Sequence, residues 1–116
     1  MAILSRIAPE VPVDDLKQAI AYYTQKLGFE LAMEIPNEYA IVERDSIAIH
    51  LFTQTPGTFG SAGLHIFTHQ LQDLHDELCQ RGAMISAPIS RRPWGNRDFR
   101  VIDSAGNTLK FTEPLA

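Results

Sequence analysis

Two histidines in this chain are each followed, two positions on, by a phenylalanine: His50 by Phe52, and His65 by Phe67. Alternate residues of a strand point the same way, so each pair would offer an imidazole and an aromatic ring to one surface and could line a ligand. A histidine alone on a strand more often serves as a structural hydrogen-bonding group than as a catalyst, and that reading stays open for both. The single tryptophan, Trp94, stands between Pro93 and Gly95, which puts it on a turn and not on a helix or strand face. An indole held on a rigid turn supplies stacking area at low entropy cost, which suits a flat heteroaromatic ligand. The alternative is a ring that only fills space. Tyr39 lies among Glu30, Glu34, Glu38 and Glu43, acids that would favour a cationic ligand or would simply form the wet face of a strand. Arg91-Arg92 before the Trp94 turn is too short for a nucleic-acid patch and is a candidate contact for an acidic group on a ligand or partner subunit. Cys79 is expected to be a buried, apolar thiol and not a nucleophile. His69 and His75 are expected to be exposed.

The bulk properties narrow the partners. With 116 residues, 45% hydrophobic and 21% charged, the chain can bury one core and is too short for two ordinary domains. A net charge of −4 argues against nucleic acid, whose phosphates demand clustered Lys and Arg; a neutral or cationic small ligand fits better. One cysteine permits no intrachain disulfide, no cysteine-based zinc site and no iron–sulfur cluster within a chain, so no cofactor is expected. No stretch approaches the roughly 20 apolar residues of a membrane span. The expectation is a soluble, cytoplasmic protein.

These side chains need elements to position them. Leu16, Ile20, Tyr23 and Leu27 recur at helical spacing, with Asp14 or Asp15 able to cap the start and Gly28 able to end the helix. Leu71, Leu74 and Leu78 repeat the pattern before Gly82. Each helix is preceded by a strand-like stretch, Ile3 to Val13 and Leu64 to Thr68. Each is followed by three more: Phe29 to Ile35, Tyr39 to Val42 and Ile47 to Phe52, then Ala83 to Ile89, Phe99 to Ile102 and Thr108 to Thr112. Pro36-Asn37, Asp45-Ser46 and Asp103 to Asn107 supply the turns. Pro9 and Pro12 predict irregularity in the first strand, because proline cannot donate to a ladder. The pattern predicts one α+β domain over residues 1–116, made of two βαβββ modules (about 1–56 and 62–116) joined by a Thr-, Gly- and Pro-rich connector from Thr53 to Gly63.

Pro9-Glu-Val-Pro12-Val-Asp-Asp-Leu16, Tyr22-Tyr23, Leu27-Gly28-Phe29, Pro93-Trp94-Gly95-Asn96-Arg97-Asp98-Phe99 and Asp103-Ser-Ala-Gly-Asn107 together resemble bleomycin-resistance-type members of the glyoxalase/bleomycin resistance/dioxygenase (vicinal oxygen chelate) superfamily. The resemblance spans nearly the whole chain and implies two βαβββ modules whose curved, mixed sheets form a concave ligand cleft, often completed by a dimer partner. Many members hold a divalent metal there. The positions that carry its ligands correspond here to Ala8, Gly63, His50 and Lys110, of which only His50 has suitable chemistry, whereas a catalytic metal needs about three protein ligands. The resemblance therefore implies neither metal nor catalytic residues.

In the bleomycin-binding proteins the residue matching Trp94 stacks on the planar part of the drug, and Tyr39 matches a second stacking aromatic, usually Phe. Lys110 is a departure: a cation aimed into a cleft needs a counter-charge, from Glu113 or Asp98, or else an anionic ligand, unless it reaches out to solvent. The expected ligand-contacting set is thus Tyr39, Trp94, His50, Phe52, His65, Phe67 and Lys110. The favoured function is sequestration of a bleomycin-type glycopeptide antibiotic, without catalysis, by a homodimer. The rivals are a metal-dependent enzyme (lyase, dioxygenase or thiol transferase) using His50 with His65, Glu10 or Glu113, and a binder of another planar metabolite.

Overall fold

The computed structural model describes residues 1–114. The chain forms β1 (Glu10–Val13), α1 (Leu16–Ala21) running on into a π-helical turn (Tyr22–Lys26), β2 (Glu30–Ile35), β3 (Tyr39–Arg44) and β4 (Ile47–Thr53). The second half repeats the order with β5 (Gly63–Phe67), α2 (Leu71–Arg81), β6 (Met84–Arg91), β7 (Arg97–Ile102) and β8 (Thr108–Glu113). Each half builds its own four-stranded sheet, ordered β1-β4-β3-β2 and β5-β8-β7-β6. The outer pairs β1/β4 and β5/β8 are parallel and the rest antiparallel. Two βαβββ modules of an α+β fold, as the sequence predicts, are what the chain forms. No helix among the described residues is long and apolar enough to cross a membrane.

Period-two alternation builds the core. Val11, Val13, Ala40, Val42, Ile49 and Leu51 turn one face of the first sheet onto Leu16, Ala19 and Tyr23, while Phe99, Val101, Leu109 and Phe111 do the same against Leu71 and Leu78. Both sheets thus carry their helix on one face.

The structure corrects two local expectations. The first strand does not begin at Ile3: residues 1–8 pair with no strand, Pro9 reaches β4 only through its carbonyl, which accepts from the His50 N–H at 3.0 Å, and Ile3 and Leu4 are exposed. Pro9 lacks the N–H needed to prolong the ladder toward the start of the chain, so β1 is a four-residue edge strand, with Pro12 accommodated within it. The first helix is not α-helical throughout. Asp15 caps it, accepting from the Gln18 N–H at 3.0 Å, but the wider π turn rotates the later residues. Ala19 takes the buried place expected of Ile20, which is only partly covered.

That π turn sends two adjacent tyrosines into the second module. Tyr22 donates to the Ile102 carbonyl at 2.7 Å and accepts from the Met84 N–H at 2.9 Å. Buried Tyr23 donates to Asp103 at 2.8 Å, and Asn107 donates to the Pro12 carbonyl at 2.8 Å. Arg44 adds an ion pair to Glu77 at 2.6 Å. The modules are therefore clasped along their helical sides.

Candidate ligand-binding surfaces

On the first sheet, the residues that alternate with the core face away from the helix: Tyr39 and Ile41 of β3, His50 and Phe52 of β4, with Glu10 of β1 opposite His50. Tyr39 lies directly across from Phe52, and the Tyr39 and His50 rings meet edge to face with centroids 5.6 Å apart. The Tyr39 hydroxyl donates to Glu10 Oε2 at 2.8 Å and sits 2.7 Å from His50 Nδ1. Its one hydrogen is committed to Glu10, so Nδ1 must supply the hydrogen of the second bond. That leaves Nε2 of His50, an atom shielded from solvent and without a hydrogen-bond partner among the described residues. Loss of water, and next the hydrogen bond to Glu10, hold the Tyr39 hydroxyl above its usual pKa.

The second sheet presents a different surface. His65 of β5, Lys110 of β8 and Arg100 of β7 form one cross-strand row, with Phe67, Thr112 and Asp98 in the next. His65 stacks on Phe67 with centroids 6.1 Å apart, and Phe67 is 64% exposed. Asp98 is buried and gripped by Arg92, whose Nη2 lies 2.6 Å from Oδ1 and whose Nε lies 3.0 Å from both oxygens. This pairing, reinforced more distantly by Arg100 and His65, holds the Asp98 carboxyl below the ordinary carboxylate range. Arg100 Nε stands off at 3.9 Å from Asp98 and makes no hydrogen bond among the described residues.

Neither acid expected to neutralise Lys110 does so. Glu113 is three residues from Lys110 and therefore points to the opposite face, where Arg97 pairs with it. Asp98 shares the face but is taken by Arg92. Lys110 has no carboxylate partner among the described residues. Arg92, read from sequence as a contact for a ligand or partner, instead pairs within the chain.

Trp94 sits on the turn between β6 and β7 and is 67% exposed. The turn is closed by the Arg92 N–H donating to the Asn96 carbonyl at 2.7 Å and the Gly95 N–H donating to the Arg92 carbonyl at 2.8 Å. Gly95 adopts φ 105°, a left-handed conformation that side chains resist. With Arg92 anchored on Asp98, the indole is carried on a braced support.

Within one chain the seven candidate residues fall into three places. Tyr39, His50 and Phe52 share the first sheet; His65, Phe67 and Lys110 share the second; Trp94 stands apart at the second sheet's outer turn. A cavity of about 500 Å³ where residues 6–9, the start of β4 and β5 meet takes in His65 and Phe67, and leaves out Tyr39, Trp94 and Lys110.

A family model described as Glyoxalase/Bleomycin resistance protein/Dioxygenase superfamily matches residues 3–111. The chain belongs to that superfamily. It is 24% identical to the bleomycin resistance protein of Geobacillus stearothermophilus, over 92% of this chain and 95% of that one. Its fold is similar to that of the bleomycin-binding protein from bleomycin-producing Streptomyces verticillus, solved with copper(II)-bleomycin: the TM-score is 0.85 at 22% identity, over 99% of this chain and 100% of that one. It is also similar to a lactoylglutathione lyase from Agrobacterium tumefaciens, with a TM-score of 0.78 at 17% identity over 95% and 94% of the two chains. One superfamily fold thus carries both a binder and an enzyme.

The residues present do not fit the divalent metal that many superfamily members hold. Among the described residues no three His, Cys, Asp or Glu side chains converge as a metal site. Of the unconventional donors, Glu113 is on the helix-facing side with Arg97, and Glu10 and His50 are tied to Tyr39.

Sequence reasoning passed over Arg100, although a signal was available. The Asp103–Asn107 hairpin sets Ile102 opposite Thr108 and hence Arg100 opposite Lys110. It also misplaced two side chains on α2. Cys79 is exposed and 3.7 Å from His75 Nε2, and His75 is half-buried, edge-on to Phe99 with centroids 5.1 Å apart. The one-turn spacing of positions 75 and 79 would have shown the pairing.

Proposed function

We propose that this chain is a small-molecule binding protein that sequesters a planar antibiotic of the bleomycin type, gripping it between Tyr39 and Trp94 without changing it chemically. The observation that carries the reading is Trp94: a lone tryptophan, 67% exposed, on a turn braced by hydrogen bonds and an ion pair. Exposing so much aromatic area to water is unfavourable unless a ligand covers it. The relatives named as bleomycin resistance and bleomycin-binding proteins supply the drug class. His50 Nε2 adds an unpartnered ring nitrogen that a polar group of a ligand would satisfy.

The cleft is shared between two copies of the chain in a cytoplasmic homodimer. A solvated sheet face is ordinarily polar, yet the uncovered face of the first sheet carries Met33, Ile35, Ile41 and Phe52, with Met33 and Ile35 exposed. Laying this face over a partner's second sheet would cover it and would bring Tyr39 near the partner's Trp94.

The test is a titration of purified protein with metal-free bleomycin, followed by tryptophan emission and by calorimetry. The expected result is a saturable change at one ligand per chain with a Kd of about 1 μM or tighter, equivalent to about −8 kcal/mol or better. Trp94→Ala should weaken the calorimetric affinity by about tenfold or more, in line with loss of one stacking aromatic. A flat titration, or an affinity unmoved by Trp94→Ala, removes the drug or the stacking role respectively.

A further inference from the structure

We propose that Lys110 and Arg100, flanked by His65 on the uncovered face of the second sheet, form an oxyanion subsite that takes a carboxylate or phosphate group of the ligand. The inference rests on the reading of these uncovered faces as ligand-binding surfaces, but not on bleomycin being the ligand.

Lys110 and Arg100 are direct cross-strand neighbours, and like charges in that position repel and destabilise a sheet. The repulsion is tolerated most readily when an anion between them is part of the working state. The chain provides one only loosely: Asp98 lies 3.9 Å from Arg100 Nε, and Lys110 has no carboxylate partner among the described residues. The face holds a single nearby carboxylate, Asp98, which is buried beneath the bidentate grip of Arg92. Glu113 is on the other face and bound to Arg97. Arg100 Nε is the decisive atom: it is shut off from solvent, lies 3.9 Å from Asp98 and has no hydrogen-bond acceptor among the described residues. A guanidinium offers its donors in a fork that matches two oxygens of a carboxylate or phosphate, and an ammonium one row position away can meet the same group. Three bases in one row, with the nearby acid already paired to Arg92, match the chemistry of an oxyanion. A ligand that carries an acidic group would therefore place it over the second sheet, on this row.

The experiment is an NMR titration of the full chain with inorganic phosphate and, in a separate arm, with benzoate, each against chloride at equal ionic strength. The Arg100 Nε–H and the Lys110 backbone amide are the reporters. Saturable shifts centred on Arg100, Lys110 and His65 are expected, with phosphate or benzoate the tighter probe according to which oxyanion the row prefers. Lys110→Gln should weaken binding at least tenfold, Lys110→Arg should keep it, and Lys17→Gln, on the exposed side of α1, should leave it unchanged. Shifts that fail to saturate, or that Lys110→Gln and Lys17→Gln reduce alike, overturn the subsite. So does loss of the dimer in Lys110→Gln without anion binding to the native protein, which would assign the two cations to a carboxylate of a second copy. A flat bleomycin titration beside saturable anion binding retires the drug and keeps the subsite; the reverse keeps the drug and removes the subsite.

Discussion

Asp98 and Arg92 lie about four-fifths of the way along the chain and touch no proposed ligand, yet they decide how Trp94 is presented. Arg92 leads into the turn and Asp98 leads out of it, so their ion pair fixes the two ends of the loop. Because the pairing with Arg92 lowers the folded pKa of Asp98, the stability it contributes is complete above the unfolded value of about 3.9 and is lost as pH falls through the lower folded value. Urea denaturation at a series of pH values below about 5 should therefore show an acid loss of stability that Asp98→Asn flattens. The same variant should blunt the response of Trp94 emission to ligand at neutral pH. Residue identity made Trp94 legible as a turn aromatic, because Pro93 and Gly95 flank it. The partners of Lys110 were only half legible: parity along β8 already excludes Glu113, but nothing local reveals that Arg92 claims Asp98.

The two modules repeat one pattern of elements, and the repeat was readable because each helix ends at a glycine and each hairpin at a polar turn. Gly28 and Gly82 occupy equivalent places with φ 75° and 86°, but their surroundings differ. A Cβ at Gly82 would meet only the end of Lys26, at 3.2 Å, a side chain free to swing away. A Cβ at Gly28 would lie 2.9 Å from Arg44 Nη1, and that guanidinium is held by the Leu27 carbonyl and Glu77. Gly82→Ala should cost about 1–2 kcal/mol, the strain of a left-handed alanine, and Gly28→Ala should cost more, since the clasp between the modules must also shift. Chemical denaturation of the two variants checks the order. The π turn was not legible, because its wider winding keeps Leu16, Tyr23 and Leu27 on the buried side just as an α-helix would. What separates the two windings is the exchange of Ala19 for Ile20 and the reach of Tyr22 and Tyr23 into the second module. Both depend on packing 80 residues away in sequence.

At the scale of the molecule, the halves differ in charge. Residues 1–56 carry four Lys and Arg against eight Asp and Glu, whereas the remainder carries six of each. A first sheet laid over a partner's second sheet thus brings an acidic half toward a neutral one, while two first sheets face to face would repel. Light scattering should report a dimer. The family resemblance pairs Tyr39 with Trp94 as stacking aromatics, but the sequence did not show that the two side chains stand on separate sheets of one chain; on the proposed reading, assembly joins them. That separation has a genetic reading. A chain with Tyr39→Ala and a chain with Trp94→Ala each fail alone, because every cleft in either homodimer lacks one ring. Mixed together, they should complement: in each heterodimer one cleft inherits both lesions and the other inherits none, so full-affinity binding returns at one site per pair. If instead each chain closes its own cleft, the mixture contains no intact site, and two inactive alleles stay inactive in the same cell.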